Sequence, residues 1–541
     1  MTHEIVRAAR RALSHGMQSG AVLRASLVVA TVSMLQAAPA AAADWPMFGQ
    51  NLQNTAAAGS NALNDVSQLQ PKWTFTTGGD VSARAAVVEG VVYFPDWAGN
   101  LWAVNAETGA LVWGKQLSTY SLTGSFTGVY KSRTTPAVDK GVLYLGTQEG
   151  AWLLAINAAT GALLWKTQLE SPANDSAAIV TTSPAVHNGV VYTGVASLQE
   201  GLAAFVPGFV CCNARGSAVA VNAATGAILW RTYMVPPGYS GGGVWGSNFV
   251  IDKSRNSVFV STGNNYSHPT DLAHVACIAS GGTPSSCMSP NNYVDAILAL
   301  DMNTGAIKWA TRMLTWNQFG ATSGSDDWNV DCFFFANGNC PSNPGPDFDF
   351  ASAPNLITYK GKHGPKTILG AGQKSGIYFA LDPDTGGILW QTQVGPGSSL
   401  GGMEWGSATD GKRIYVQIAN FYGIPSPAGG NAGSWAALDP ETGAILWHRP
   451  DPNGAVALGP LAVANGVVFA PSMAGAAQAQ TMFALDGASG AVLWSFASGA
   501  SVNAGAAIVD GVVYWGSGYT NLGINGYTGN NKFYAFSKQG K

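Results

Sequence analysis

One short signature returns seven times along the 541-residue chain. It reads AETGALVW ending at Trp113, AATGALLW at Trp165, AATGAILW at Trp230 and MNTGAIKW at Trp309, then PDTGGILW at Trp390, PETGAILW at Trp447 and GASGAVLW at Trp494. Most copies follow an apolar run such as LLAIN or ILALD, and most precede a run such as NGVVYTG or DGVVYWG. The physical reading is strand, tight turn with glycine where positive φ is needed, strand, then a tryptophan large enough to dock between neighbouring units. Units of this spacing, each holding four short strands, predict an all-β chain folded as a β-propeller. LQPKWTFTT supplies an eighth tryptophan, Trp73, without its turn, so an N-terminal strand is expected to complete the last unit and close the ring. The count is eight blades, with seven as the alternative.

Residues 1–43 read differently. Arg7, Arg10, Arg11 and Arg24 precede an apolar run from Leu27 to Leu35, and APAAAADWP offers a small-residue cleavage site before Asp44. That pattern is a secretory signal removed near Ala43, leaving residues 44–541 as one exported propeller domain, periplasmic or secreted. No later run is long and apolar enough to span a bilayer. Without the leader, 23 basic and 29 acidic side chains remain, a formal charge of −6 that argues against nucleic acid as a partner.

The six cysteines fall in three close pairs: Cys211 and Cys212, Cys277 and Cys287, Cys332 and Cys340. In an exported chain such pairs read as disulfides, the last two closing short loops. Adjacent Cα atoms lie only about 3.8 Å apart, so a Cys211–Cys212 bridge would be strained and would mark a functional surface. Two neighbouring free thiols are the plainer reading. There is no C-x-x-C-H motif, hence no covalently attached haem in this sequence. The spacing between signature tryptophans widens between Trp165 and Trp390, which predicts long functional loops over residues 170–410.

The repeat, together with the opening DWPMFGQNLQNT, resembles the eight-bladed quinoprotein alcohol dehydrogenases. The resemblance implies pyrroloquinoline quinone and Ca2+, or a lanthanide, as cofactors. GGGVWGSNFVIDKSRNSVFVSTGNN resembles the family segment that places a tryptophan floor, here Trp245, under the quinone and an asparagine ligand, Asn264, on the metal. VTTSPAVHNGVVYTGVASLQEG is similar to the stretch that gives cofactor contacts, here Thr181 and Ser197, and a metal-binding Glu200. Oxygen donors of this kind suit calcium. GAGQKSGIYFALD puts Lys374 where the family reaches the quinone oxygens, and Arg133 in KSRTTPAV is a partner for a cofactor carboxylate.

By the same resemblance Cys211 and Cys212 form a vicinal disulfide covering the quinone face opposite Trp245. Their position after the Glu200 loop is similar to that in polyvinyl alcohol dehydrogenases of the superfamily. The family's general base follows a tryptophan in D-x-W-D. Here SGSDDWNVDC carries Asn329 at that position, and an amide cannot accept the alcohol proton. The carboxylates within two residues are Asp331, ranked first as base, and Asp327. Asp331 also stands where lanthanide-using relatives carry an extra metal ligand. The implied activity is oxidation of secondary hydroxyls, on polyvinyl alcohol or a similar long-chain alcohol, with electrons passed to a periplasmic cytochrome c. A propeller scaffold of the cell envelope without cofactor, and a dehydrogenase for small alcohols or sugars, are the alternatives.

Overall fold

A computed structural model of the protein describes residues 44–59, 63, 65–125, 127–313, 325–335, 337–520 and 526–541. The expected leader, 1–43, lies outside the described residues. From residue 44 onward the described strands form eight antiparallel sheets, seven of them built from strands consecutive in the chain. The eighth joins Ala507–Val509, Val512–Gly516 and Lys532–Lys538 to the N-terminal strand Leu69–Thr76. Trp73 pairs with Ala535 across that seam, so the first strand closes the last blade and removes its open edge.

The repeat accounts for how each blade meets the next. An Asn or Asp before each signature turns the chain: Asn105, Asn157, Asn222, Asp301, Asp382, Asp439 and Asp486 each accept the amides two and three residues on. The signature tryptophan then donates its indole N–H to the turn of the following blade. Trp73 reaches Ala106 O at 2.9 Å, Trp113 reaches Ala158 O at 2.8 Å and Trp230 reaches Met302 O at 3.0 Å. Trp165, Trp309, Trp390 and Trp447 repeat the contact, and Trp494 completes the circle on Leu69 O at 3.1 Å. Among the described residues a glycine lies beneath every one of these rings except Trp494. Gly305 has φ +71°, and a Cβ there would lie 2.5 Å from the Trp230 ring.

The first strand of each blade is the inner one, and first strands of neighbouring blades pack against each other around the axis. Residues 45–58 run across their ends. Backbone bonds tie Trp45 to Val87, Pro46 to Val138, Leu52 to Ile251, Gln53 to Leu356, Thr55 to Thr409 and Ala56 to Val463, crossing six blades. Phe48 from this strap lies under the buried Arg84, whose guanidinium donates to Phe48 O and Leu461 O, both at 2.7 Å. Burial lowers the Arg84 pKa to about 9. Among the described residues no helix is long and apolar enough to cross a membrane.

Candidate active site

Segments that lead into the inner strands carry the charged and aromatic residues of the ring's interior. Arg133 precedes Ala137–Asp139, Thr181 precedes Ala185–His187, Trp245 precedes Val250–Asp252, and Trp405 precedes Ala408–Thr409. These four residues, with Ser197, Glu200, Asp347 and Lys374, line a cavity of ≈ 210 Å³. It therefore draws on five consecutive blades. Trp245 and Trp405 meet edge to face, with centroids 5.5 Å apart. The Arg133 guanidinium lies 3.7 Å over the Trp405 ring. Two non-glycine residues here hold left-handed backbone, Asp347 at φ 58° and Trp405 at φ 60°, which is local strain of the kind functional sites keep.

Lys374 is the electrostatic centre. Its ammonium lies 3.0 Å from Asp347 Oδ1 and 2.7 Å from Asp349 Oδ1. The Trp245 indole N–H donates to Asp349 Oδ2 at 2.8 Å. Gly263 makes room for this arrangement, since a Cβ there would lie 3.0 Å from Asp349 Oδ2 and 3.2 Å from the indole nitrogen. Burial alone would lower the Lys374 pKa, but Asp347, Asp349, Glu200 and Glu404 outweigh it and hold the ammonium charged.

Negative charge exceeds positive around this lysine. Glu200, Asp295, Asp326, Asp347, Asp349 and Glu404 are all interior, against Lys374 and Arg133. Burial pushes the Glu200 carboxyl up to about 8, eased by Lys374 and raised further by Asp349 and Asp326. Burial likewise raises Asp326 and Glu404 to about 7. Both oxygens of Asp295 are buried without a hydrogen-bond partner. Uncompensated carboxylates in a dry interior are the donor set a hard cation neutralises. Asn264 fits that role. Its amide nitrogen donates to Asn265 O at 2.9 Å and Trp328 O at 2.8 Å, which leaves the amide oxygen as the atom for a cation. Among the described residues, no three His, Cys, Asp or Glu side chains form a ready-made metal site. The two expected ligands are one carboxylate and one amide.

Of the residues expected from sequence, Arg133, Thr181, Ser197, Glu200, Trp245 and Lys374 share the cavity wall. Thr181 Oγ1 donates to Trp245 O at 3.4 Å and Ser197 Oγ to Asp175 at 3.1 Å. Asn264 is buried and is not among the residues that line the cavity. Cys211 and Cys212 are bridged, as are Cys277–Cys287 and Cys332–Cys340. The vicinal pair is half-buried beside Tyr266, with Cys211 Sγ 3.7 Å from Tyr266 O, and it is the Tyr266 ring that reaches the cavity.

Asp331 and Asp327, expected from the sequence as base and, for Asp331, also as a metal ligand, are not among the residues that line the cavity. Asp331 accepts the amides of Asn337, at 2.8 Å, and Asn339, so its carboxylate organises the Cys332–Cys340 loop. Asp327 is bonded to His268 Nδ1 and Ser325 Oγ, both at 2.9 Å. Asn329 is an amide for a structural reason: it donates to Tyr266 O at 3.0 Å and Asn339 O at 3.1 Å while accepting from Asp331 N at 2.9 Å. A carboxylate could make neither donation. Asp347 and Asp349 went unrecognised. Their signal is the pair D-x-D in GPDFDF, just ahead of the inner strand that begins at Asn355.

The protein is an eight-bladed propeller with an ion-paired lysine inside its ring, and comparison with known proteins makes it quinoprotein alcohol dehydrogenase-like. The chain is 29% identical over 547 residues to polyvinylalcohol dehydrogenase of Pseudomonas sp, covering 92% of this chain and 77% of that protein. It is 29% identical over 501 residues to polyvinylalcohol dehydrogenase of Sphingopyxis sp. (strain 113P3), covering 84% and 69%. Among solved structures, quinohemoprotein alcohol dehydrogenase from Comamonas testosteroni superposes with TM-score 0.67 at 20% identity, over 92% of this chain and 81% of that one. A family profile described as outer membrane protein assembly factor BamB matches residues 65–215 and 373–532. The chain belongs to this propeller family and, within it, to the PQQ-dependent alcohol dehydrogenase superfamily.

Proposed function

We propose that the protein is an exported dehydrogenase that oxidises secondary alcohol groups, on polyvinyl alcohol or a similar long-chain alcohol, with pyrroloquinoline quinone and calcium or a lanthanide. The observation that carries this reading is Lys374 held between Asp347 and Asp349 against the Trp245 ring, within a cluster of excess carboxylates. A scaffold has no use for so costly a buried assembly. The names of the two relatives support the substrate class. Three disulfides suit an oxidising compartment. A cytochrome c is the proposed electron acceptor.

Trp245 offers a flat face for a planar ring, while Arg133 and Lys374 are the cations of the cavity wall that meet its carboxylates and oxygens. Glu200 and Asn264 are the proposed metal ligands. When bound, the quinone supplies hydride acceptance and the metal Lewis acidity. The base role moves from Asp331 to the Asp347–Asp349 pair. Asp347 faces the cavity and takes the hydroxyl proton at its carboxylate, while Asp349 is fixed in place by Lys374 and Trp245. Lys374 Nζ then stabilises charge that develops on a neighbouring oxygen.

The test is reconstitution of purified protein with quinone and Ca2+, followed by dye-linked alcohol oxidation. Asp347→Asn and Asp349→Asn should each lower kcat by about 100-fold or more while quinone absorbance reports retained binding. Full turnover in both variants would remove the pair from the mechanism. No quinone binding by the parent protein would leave the scaffold reading.

A further inference from the structure

Beside the cavity lies a second depression of ≈ 330 Å³, and the two share Trp328 and Ser399. Its wall includes the rings of Trp328, Phe333, Phe348 and Tyr422 and the hydroxyl residues Ser398 and Ser399, with the remainder from the bridged Cys332, a proline and two glycines. Among the described residues that wall carries no Asp, Glu, Lys, Arg or His, beside a cavity dense with charge. Ser399 Oγ and Tyr422 OH are 2.8 Å apart, and Ser398 Oγ donates to Gly401 O at 2.8 Å. Phe333 and Tyr422 are 45% and 49% exposed, so both rings are presented outward rather than spent on the core.

The aromatic side is also held firmly. Phe333 packs edge-on to Phe334 at 4.9 Å, and Phe334 meets Phe205 at 5.3 Å. Phe205 ends the short helix Gln199–Phe205 that carries Glu200. The Cys332–Cys340 bridge clamps the loop from the other side. A groove continuous with a reaction cavity is where the unreacting part of a substrate lies, and its chemistry states what that part is.

We infer that this groove is an extension subsite for the neutral hydrocarbon-and-hydroxyl chain of a long polyol, beyond the hydroxyl being oxidised. The rings cover methylene stretches and the serine and tyrosine hydroxyls meet the spaced OH groups. An uncharged wall is poorly suited to steering a protein partner by charge. This inference rests on the alcohol-oxidation reading of the adjoining cavity and assigns its reach to Phe333, Tyr422 and Ser399.

The experiment compares 2,4-pentanediol with polyvinyl alcohol oligomers, by calorimetric binding to cofactor-free protein and by turnover of the reconstituted enzyme. The parent should bind oligomers more tightly than the diol. Phe333→Ala combined with Tyr422→Ala should weaken oligomer binding about tenfold and shrink the kcat/KM ratio of oligomer to diol by a similar factor. Length-independent binding, or a ratio unchanged in the double variant, would overturn the subsite even with alcohol oxidation intact. Oligomer binding that the double variant loses, in an enzyme that turns over no alcohol, would keep the subsite and sink the oxidation reading. Loss of rate with cytochrome c as acceptor but not with dye would make the groove an acceptor surface and overturn the proposal.

Discussion

Lys374 Nζ lies 3.0 Å from both carboxylate oxygens of Asp347, and this buried fork ties the segment before Asn355 to the strand Gly364–Gly372 and the turn that follows it. The same ammonium reaches Asp349. Removing it leaves two interior carboxylates with no counter-charge. Lys374→Ala should therefore lower the stability of the cofactor-free protein by about 3–5 kcal/mol, read from urea unfolding. A loss under 1 kcal/mol would mean that water already shares the pair.

Calcium should act through Glu200. In the parent protein, added Ca2+ is expected to raise the melting temperature, because a ligand that binds only the folded state stabilises it by mass action. Glu200→Gln replaces the carboxylate with a neutral amide that keeps one oxygen, and also relieves crowding among Asp326, Asp349 and Glu200. The variant should thus melt no earlier than the parent without metal, and should show a clearly smaller calcium shift. A full calcium shift in the variant would exclude Glu200 as a ligand.

A separate pH response belongs to His448. Its Nε2 lies 2.8 Å from Ser434 Oγ, its Nδ1 is buried without a partner, and burial lowers its pKa from 6.5 to about 4. The unfolded chain binds this proton first as pH falls, so stability is untouched above pH 6.5 and declines between 6.5 and about 4. The loss should reach roughly 2–3 kcal/mol by the bottom of that window. His448→Gln should flatten this limb of a stability-versus-pH curve; an unchanged limb would place the proton uptake elsewhere.

Blade docking can be probed at one atom. Gly305→Ala puts a Cβ 2.5 Å from the Trp230 ring at φ +71°. The cost should be about 2–4 kcal/mol, visible as a lower denaturation midpoint without a change of fold by circular dichroism. Gly466→Ala, at φ +76° with open space around its Cβ, should cost about 1 kcal/mol, the backbone share alone. Equal losses at the two sites would show that ring contact contributes nothing.

The repeat, taken alone, determined the architecture. Each T-G-x-x-x-W or S-G-x-x-x-W copy contains its own turn, its own glycine under the incoming ring and its own donor for the next blade, so blade number and order follow from local spacing. Trp73 without a turn was enough to place the closing strand on the last blade. That Arg133, Thr181, Ser197, Glu200, Trp245 and Lys374 belong together was legible because each sits in a segment with a recognisable motif, and they share one cavity wall. The base was not. Two acidic segments, around Asp327 and around Asp347, lie 20 residues apart, and local pattern favoured the one beside a tryptophan. Only the tertiary structure shows which of them meets Lys374. Asn329 and Asp331 bond to the loop that Cys332 and Cys340 close, while Asp347 and Asp349 stand ahead of the inner strand and meet Lys374. A cavity drawn from five blades is a matter of which loop ends converge. That depends on ring closure and long-range packing rather than on any short stretch of chain.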